Sequence, residues 1–443
     1  MPISYNLEAV ARVLFDSTRR KHVVLVGDSQ MSGSRWYFGD WAFQKAMPCS
    51  IPVVGAVLET YPTGSIVKSY GSLTGTGGTI TRSVYGFNDT DNTIGAPNST
   101  GYCICPMTAH TFSADQAANQ ALGNGITLNR RADTAGVPAG FDWRLGGSSG
   151  RAWFTDASLE AKMVSFDCGT AAAMPWRFLL RRTPSVTTST AYVNLTPPGT
   201  LGFYSSSWTA TLAGAGNTDE ELRLVPECNS GDESIANAHI TYVRGVVRKP
   251  AVGGILPPGV VLDTIGRSST SASESLSTGG SQAALQSYFS NTIDCNDIVV
   301  FSMYGHNMEV AEITTVPNAT WQSNVETRNL RIVNAIRAAF PSANIHVIAV
   351  LPWMYTAAAN GIDSVADAEA AEALLLAAAQ RNNWAMFSFY SATNGAPIAA
   401  NNLHLTDGSA QMQYPLVAAS LLWQELSSAA ASSVLRASRA RIR

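Results

Sequence analysis

Residues 21–29 constrain the fold of this chain more than any other stretch. After Lys21 and His22, the aliphatic residues Val23 to Val26 follow one another without interruption, and the run stops abruptly at Gly27-Asp28-Ser29. A continuous apolar run that ends at turn residues is typical of a strand buried on both faces of a parallel sheet. Because parallel strands need crossover connections, usually helices, the run predicts an α/β domain with Ser29 at the end of a strand.

Predicted strands and helices alternate in the C-terminal part of the chain. The predicted strands are 259–263, 297–303 and 345–351, and the predicted helices are 281–291, 324–340, 366–381 and a last helix from about Ser409. An amphipathic pattern also predicts a helix over 7–20, ahead of the first strand. Alternation at this spacing is typical of βαβ units, so we expect a parallel sheet covered by helices on both faces.

Residues from about 75 to 250 differ in composition from this α/β part. Gly, Ser, Thr and Asn recur there in clusters that separate short apolar runs, which favours strands of a β-sandwich or barrel. We therefore predict that 1–74 and 251–428 form one α/β domain, interrupted by an inserted β-rich, sandwich-like domain over 75–250. Residues 429–443 are predicted to be a basic C-terminal tail that is frayed or bound to a partner.

Charge and composition argue against several classes of protein. A net charge of -3 over 443 residues indicates no basic surface for nucleic acid or an anionic membrane. No stretch has the roughly 18 apolar residues of a spanning helix, and no export signal is recognisable. The six histidines form no HxxxH or HxH pair, so no metal site is indicated. We expect no metal, nucleic-acid or membrane partner, and a protein that is cytoplasmic as made or associated with a virion.

Four short segments carry polar residues that fit one chemistry. They are Gly27-Asp28-Ser29-Gln30, Thr264-Ile265-Gly266 with Ser268, Gly305-His306-Asn307, and Asn401-Asn402-Leu403-His404. A serine hydroxyl becomes an effective nucleophile when a base removes its proton and N–H donors hold the oxyanion that forms. Ligands of open α/β sheets bind outside the carboxyl ends of the strands, where these segments should meet. The pattern predicts a nucleophile, two oxyanion donors and a base.

In type and order, these four segments resemble the sequence blocks of the SGNH/GDSL hydrolase family. The resemblance covers roughly residues 20–35 and 258–428. It implies a flavodoxin-like three-layer α/β fold and hydrolysis of esters, often acetyl groups on sugars, with no metal or organic cofactor. The implied roles are nucleophile for Ser29, base for His404, and oxyanion donors for Gly266 and Asn307 with the Ser29 N–H. We regard Asp28 and His306 as candidate pocket residues.

Two positions depart from the family pattern. The third block usually continues with Asp, but Met308 follows Asn307, so any positioning by that carboxylate is lost. The last block usually begins with Asp, but here Asn401 holds that position. An Asn carbonyl accepts a hydrogen bond from a histidine N–H but does not stabilise imidazolium by charge. Asp407, three residues after His404, is the other carboxylate available, with helix capping as its alternative role. We expect an active but weakened enzyme.

Three functions remain open at this stage. The first is a carboxylic ester hydrolase, in particular a carbohydrate O-acetylesterase whose inserted domain recognises an acetylated polysaccharide. The second is a bacteriophage tail or capsid accessory protein that uses the same fold to bind or trim host glycans, which would be found as a homo-oligomer or in a virion. The third is an intracellular esterase or lipase acting on small esters, which would show a wide apolar pocket.

Overall fold

The structure is a computed structural model of the chain. It describes residues 4–28, 31, 43–59, 79–82, 126–129, 143–146, 158–170, 175–183, 188–194, 202–203, 206–211, 221–228, 237–266, 271–273, 282–354, 361–395 and 413–441. The chain divides into two compact units, which we call unit 1 (Met1–Val53, Cys103–Cys105 and Leu256–Arg443) and unit 2 (Val54–Tyr102 and Pro106–Ile255). Unit 2 thus starts earlier than residue 75, where the change in composition suggested the boundary.

The described elements are as follows, in chain order. The strands are β1 (Ser4–Tyr5), β2 (Arg20–Gly27), β3 (Val53–Glu59), β4 (Thr79–Arg82), β5 (Ile126–Asn129), β6 (Trp143–Gly146), β7 (Ser158–Thr170), β8 (Pro175–Thr183), β9 (Thr188–Asn194), β10 (Gly202–Phe203), β11 (Ser206–Thr211), β12 (Glu221–Cys228), β13 (Asn237–Arg248), β14 (Gly259–Gly266), β15 (Asp297–Met303), β16 (Asn344–Leu351) and β17 (Ala385–Ser388). The helices are α1 (Leu7–Leu14), α2 (Phe43–Ala46), α3 (Gln282–Thr292), α4 (Ala319–Ala339), α5 (Val365–Asn382), α6 (Phe389–Ala392) and α7 (Gln413–Arg441).

The strands of unit 1 form a sheet in the order β1-β17-β16-β15-β2-β14. Every neighbouring pair in it is parallel except β1 with β17. Counted along the chain, the parallel strands therefore lie in the order 2-1-3-4-5, which is the flavodoxin-like arrangement. The predicted α/β fold with a parallel sheet is confirmed. In this order the sheet reverses its direction of growth between β2 and β15, and ligands of such sheets bind at that switch point.

Burial explains why the strands appear in the sequence as continuous apolar runs. Every residue of β2 and of β15 is buried. Both strands lie inside the sheet, each with a parallel neighbour on either side. A parallel sheet covered on both faces leaves no solvent-facing row of side chains, so polar residues need not alternate with apolar ones.

The helices of unit 1 fall into two groups by contact. Helix α7 packs against α1 and α2, whereas α4 packs against α3 and α5. Right-handed crossovers place α3, α4 and α5 on one face of the sheet and leave the other face to α1, α2 and α7. On that second face, Trp423 Nε1 donates to the Phe43 carbonyl at 2.9 Å, and the Phe43 ring packs edge-on against Phe301. Of the helices described, none is both long and apolar enough to cross a lipid bilayer.

Three predicted helix boundaries differ from the structure by five residues or more. Helix α4 begins at Ala319 instead of residue 324. Helix α1 ends at Leu14 instead of Arg20, and α7 continues to Arg441, so most of the segment expected to be a frayed tail is helical. The end of α1 is followed by a turn at Asp16, whose Oδ1 accepts hydrogen bonds from the Thr18 hydroxyl at 2.6 Å and the Thr18 N–H at 2.8 Å. Such local side-chain bonds compete with helix propagation. They also lower the pKa of Asp16 to about 2.

Unit 2 consists, in its described part, of antiparallel strands. In one sheet β13 pairs with β3, β5 and β7, while β7 also pairs with β10 and β11 and β4 pairs with β5. A second sheet has the order β6-β12-β8-β9. The described strand pairs of unit 2 are thus antiparallel, and an inserted, sandwich-like domain over 75–250 stays a prediction.

His346 provides a test of how burial affects stability in unit 1. The residue lies half-buried in β16, and its Nε2 has no hydrogen-bond partner among the described residues. Burial lowers the pKa of His346 below its ordinary value of 6.5. The unfolded chain therefore binds the proton more readily, so the free energy of unfolding falls as the pH drops below about 6.5.

Between pH 7.5 and pH 5, we expect the free energy of unfolding to fall less in His346→Gln than in the wild type. Urea denaturation at the two pH values measures the difference. Equal losses in both proteins would contradict a buried, neutral His346.

Candidate active site

The register of the sheet brings the first three blocks to one edge. Gly27, the last residue of β2, lies beside Gly266 at the end of β14 and beside Met303 at the end of β15. The three parallel strands thus finish at the same level. Gly266 ends the second block, and the segment after Met303 leads directly into the third. The carboxyl edge of the sheet at its switch point is therefore where these blocks meet, as expected for a ligand site in this topology.

Gly27 stands where β2 approaches β15 too closely for any side chain. A Cβ at this position would lie 2.2 Å from the Met303 carbonyl oxygen and 2.8 Å from Met31 Cγ. The first of these atoms belongs to the backbone of a neighbouring strand, so it has little freedom to move. The first block consequently requires glycine here for steric reasons.

Asp28 connects the first block to the third. The side chain is fully buried, and its Oδ2 accepts a hydrogen bond from the His306 backbone N–H at 3.3 Å. Its own N–H donates to the Met303 carbonyl at 3.4 Å, and its carbonyl accepts from the Met31 N–H at 3.1 Å. The turn that leads from β2 into Ser29 is thereby fastened to the end of β15.

His306 lies in the interior, with 1% of its surface exposed. Its Nε2 is 3.3 Å from the Trp353 carbonyl, and its ring packs on the Trp353 ring with centroids 5.0 Å apart. His306 Nδ1 is 3.8 Å from Asp28 Oδ2. Asp28 and His306, the candidate pocket residues of the sequence analysis, thus contact each other beneath the edge of the sheet and support the blocks from inside.

The third block turns sharply at Gly305. Its φ of 152° and its closeness to Pro352 Cγ and Ile362 Cδ1, both 2.9 Å from a Cβ built at this position, leave room only for glycine. Its carbonyl accepts from the Ile362 N–H at 3.1 Å. This turn delivers Asn307, whose Nδ2 is buried and has no hydrogen-bond partner among the described residues. An unmet buried amide donor is unusual and costs free energy, so it calls for an explanation.

The second block is anchored in the interior through Asp263. Its carboxylate is fully buried, accepts a hydrogen bond from the Tyr288 hydroxyl of α3 at 2.5 Å and lies 3.3 Å from His22 Nε2. These contacts lie three residues before Gly266 along β14, away from the edge of the sheet. We interpret this His-Asp pair as a support for the neighbouring strands β2 and β14 rather than as part of a reacting site.

Three of the predicted site residues lie outside the described residues. These are Ser29, Asn401 and His404. Ser29 follows Asp28 directly, so the chain reaches it from the carboxyl edge of β2. The segment with Asn401 and His404 precedes α7, the helix that packs against α1 and α2. Their roles remain those predicted from the sequence. Within the described residues, no group of three or more His, Cys, Asp or Glu side chains is placed to hold a metal ion.

The sequence analysis missed two residues that contact the segments after these strands. The Trp353 carbonyl lies 3.3 Å from His306 Nε2, and the Glu312 carboxylate accepts from the N–H groups of Ser273 and Glu309. Trp353 follows β16 by two positions, so the rule that drew attention to residues after the other strand ends applies to it as well. Glu312 lies nine residues after β15 in an irregular segment, where no local pattern distinguishes it.

Comparisons with known proteins identify no sequence relative. No family model matches the chain, and no curated protein matches it. A solved structure of a peptidoglycan O-acetylesterase is similar over 96% of both chains, with 13% sequence identity and a TM-score of 0.42. A family two carbohydrate esterase from Clostridium thermocellum in complex with cellohexaose is similar over 68% of this chain and 94% of its own, with 9% identity and a TM-score of 0.26.

A family two carbohydrate esterase from Cellvibrio japonicus gives a comparable match. It covers 66% of this chain and 91% of its own, with 9% identity and a TM-score of 0.25. Esterases are thus found among the solved structures that are similar to this chain.

Proposed function

We propose that this protein is a serine esterase that hydrolyses carboxylic esters, with O-acetyl groups on a polysaccharide as the substrate class. The observation that carries the proposal is the buried Asn307 Nδ2, an amide donor with no partner among the described residues. Asn307 follows β15 in the sequence, at the same edge of the sheet where Gly266 ends β14 and where β2 leads to Ser29. A preorganised donor of this kind is what an oxyanion hole requires.

The proposed reaction is an acyl transfer in two halves. Ser29 Oγ attacks the acyl carbon while His404 takes its proton, and the oxyanion is held by the N–H groups of Ser29 and Gly266 and by Asn307 Nδ2. Collapse of this intermediate breaks the bond to the sugar oxygen, which takes the proton from His404 and leaves as a hydroxyl group, and an acetyl-serine remains. Water then attacks the acetyl group with His404 as the base, and acetate leaves as Ser29 regains its proton.

Asn401 sets the expected strength of the base. An Asn amide oxygen is able to accept from a histidine Nδ1–H and so orient the imidazole, which is the role we propose for Asn401, but it carries no negative charge to stabilise the imidazolium. We therefore propose a slower enzyme than one with a carboxylate at this position.

The proposed substrate class rests on the resemblance of the four blocks to those of the SGNH/GDSL hydrolases. Enzymes of that family often hydrolyse acetyl esters on sugars. We propose that the β-rich unit 2 recognises the polysaccharide. The role as a virion component stays a prediction, and co-purification of the chain with phage particles tests it.

The decisive experiment concerns Asn307. We expect Asn307→Ala to lower kcat for p-nitrophenyl acetate by about 10²–10³, because one oxyanion donor is lost, with a much smaller change in KM. The matched control is Asn334→Ala, which removes an exposed amide from α4. Wild-type kcat in the Asn307 variant, or no hydrolysis by the folded wild type, would overturn the proposal.

A further inference from the structure

Glu312 is a buried carboxylate that the proposed reaction does not use. Its side chain is fully buried, in the segment between β15 and α4. Burial raises its pKa, and the N–H groups that donate to it act in the opposite direction. A buried carboxylate is costly unless several donors compensate for the lost hydration, so its partners show what it holds in place.

The partners of Glu312 come from three separate segments. Oε1 accepts from the Ser273 backbone N–H at 3.0 Å and from Asn324 Nδ2 in α4 at 2.8 Å. Oε2 accepts from the Glu309 backbone N–H at 2.9 Å. Both carboxylate oxygens are thus used, and two of the three donors are backbone groups. Glu312 therefore fixes the course of the main chain at two places.

The two backbone N–H groups that Glu312 binds lie a few residues after the two proposed oxyanion donors in the sequence. Ser273 lies seven residues after Gly266, and Glu309 lies two residues after Asn307. A second, weaker contact joins the same segments, since the Ser271 hydroxyl donates to Glu309 Oε1 at 3.5 Å. The carboxylate of Glu312 connects the chain leaving the second block to the chain leaving the third, and Asn324 ties both to α4.

The position of Glu312 also bears on Met308. The family pattern has a carboxylate directly after the Asn of the third block, and this chain has a buried methionine there instead. Glu312 accepts a hydrogen bond from the N–H of Glu309, the residue directly after Met308. Its carboxylate is therefore placed to take the positioning role that is lost at Met308.

We infer that Glu312 is a positioning residue of the oxyanion hole, which sets the distance between the Gly266 N–H and the Asn307 amide by fastening the segments behind them. The inference rests on the proposed esterase function. A shift of a donor by a fraction of an ångström weakens stabilisation of the transition state more than binding of the ester, because the oxyanion forms only during the reaction.

The test is Glu312→Gln in the full chain, with Glu326→Gln as the matched control. The introduced side-chain amide would present an NH₂ group to at least one of the present donors, so one bond or more is lost in either orientation. Glu326 of α4 also accepts from two side chains, Arg381 and Asn382, but both belong to α5 and not to the segments behind the two oxyanion donors. We expect kcat for p-nitrophenyl acetate to fall about 10-fold or more with KM within about 2-fold in the Glu312 variant alone.

Hydrogen exchange supplies a readout that does not depend on activity. We expect faster amide exchange in Glu312→Gln both around residues 271–273 and around 305–313, and in neither segment of Glu326→Gln. If Glu312→Gln does not fold, Glu312→Asp is the second variant, because it keeps the negative charge but shortens the side chain by one methylene group. We expect the same fall in kcat and the same faster exchange in both segments.

The outcomes separate the two proposals. An inactive wild type overturns the esterase function, whatever the exchange data show. An active wild type with unchanged kcat in the folded Glu312 variants, or with faster exchange in only one of the two segments, overturns the positioning role of Glu312 and leaves the esterase function standing.

Discussion

Ser29→Ala is expected to lower kcat for p-nitrophenyl acetate by at least about 10⁴-fold, leaving only the residual catalysis that substrate binding and the oxyanion donors supply. The serine follows a strand whose end is fixed on both sides, by Gly27 packed against Met303 and by Asp28 bonded to His306. Removal of the hydroxyl leaves these contacts intact, so the fold should survive while the proposed nucleophile is lost. Steady-state kinetics with circular dichroism of the same samples measure both.

His404→Ala should have an effect of similar size, because a nucleophile and base of the proposed kind act as one unit and the losses from removing each do not add. The double variant should therefore be no slower than either single variant. Ser420→Ala serves as the matched control, since Ser420 is an exposed residue of α7 whose hydroxyl donates to the Leu416 carbonyl. Activity that persists in Ser29→Ala would mean that another group carries the reaction and that the esterase assignment of the first block is wrong.

Gly27→Ala is expected to destabilise unit 1 by more than about 3 kcal/mol, within the range of severe overpacking. The added methyl group would lie 2.2 Å from the Met303 carbonyl oxygen, so β2 and β15 would have to separate at their carboxyl ends. The Asp28 N–H also donates to that same carbonyl, so the turn into Ser29 would shift as well. Urea denaturation followed by tryptophan fluorescence measures the free energy of unfolding.

Gly395→Ala is the control that separates the destabilisation caused by a backbone clash from the destabilisation caused by a positive φ. Gly395 has a φ of 74°, and its nearest contact for a Cβ is the flexible Tyr390 ring at 3.2 Å. We expect a loss of about 1–2 kcal/mol there, from the left-handed backbone alone. If Gly27→Ala cost no more than Gly395→Ala, the close approach of β2 to β15 would not be a constraint on the first block.

The strands and their order along the chain could be predicted because the signals are local. The run before Gly27 and the run in β15 are apolar throughout, and each is followed by turn residues. The helix preceding β2 was predicted too long, because its apolar spacing continues past Leu14 while Asp16 already closes a turn with Thr18. Strand β17 went unpredicted, since four residues give too short a pattern.

The sequence predicted the role of each block only from the types of residue that the block contains. Asp28 and His306 were expected to line a pocket, and the structure places both in the interior, where they hold the ends of β2 and β15 together. Their neighbours in the sequence do not reveal this, because the contact joins residues that are far apart along the chain.

By itself, the sequence determined which residues form four of the five parallel strands and which polar groups follow their carboxyl ends, because continuous burial and turn residues leave a local pattern. Only the tertiary structure decided that Gly27 must lack a side chain, that Glu312 accepts from the N–H groups of Ser273 and Glu309, and that His306 packs on Trp353. The physical reason is that a buried carboxylate, a ring or a Cβ acquires its neighbours only when distant segments pack, and those neighbours leave no trace in the residues on either side.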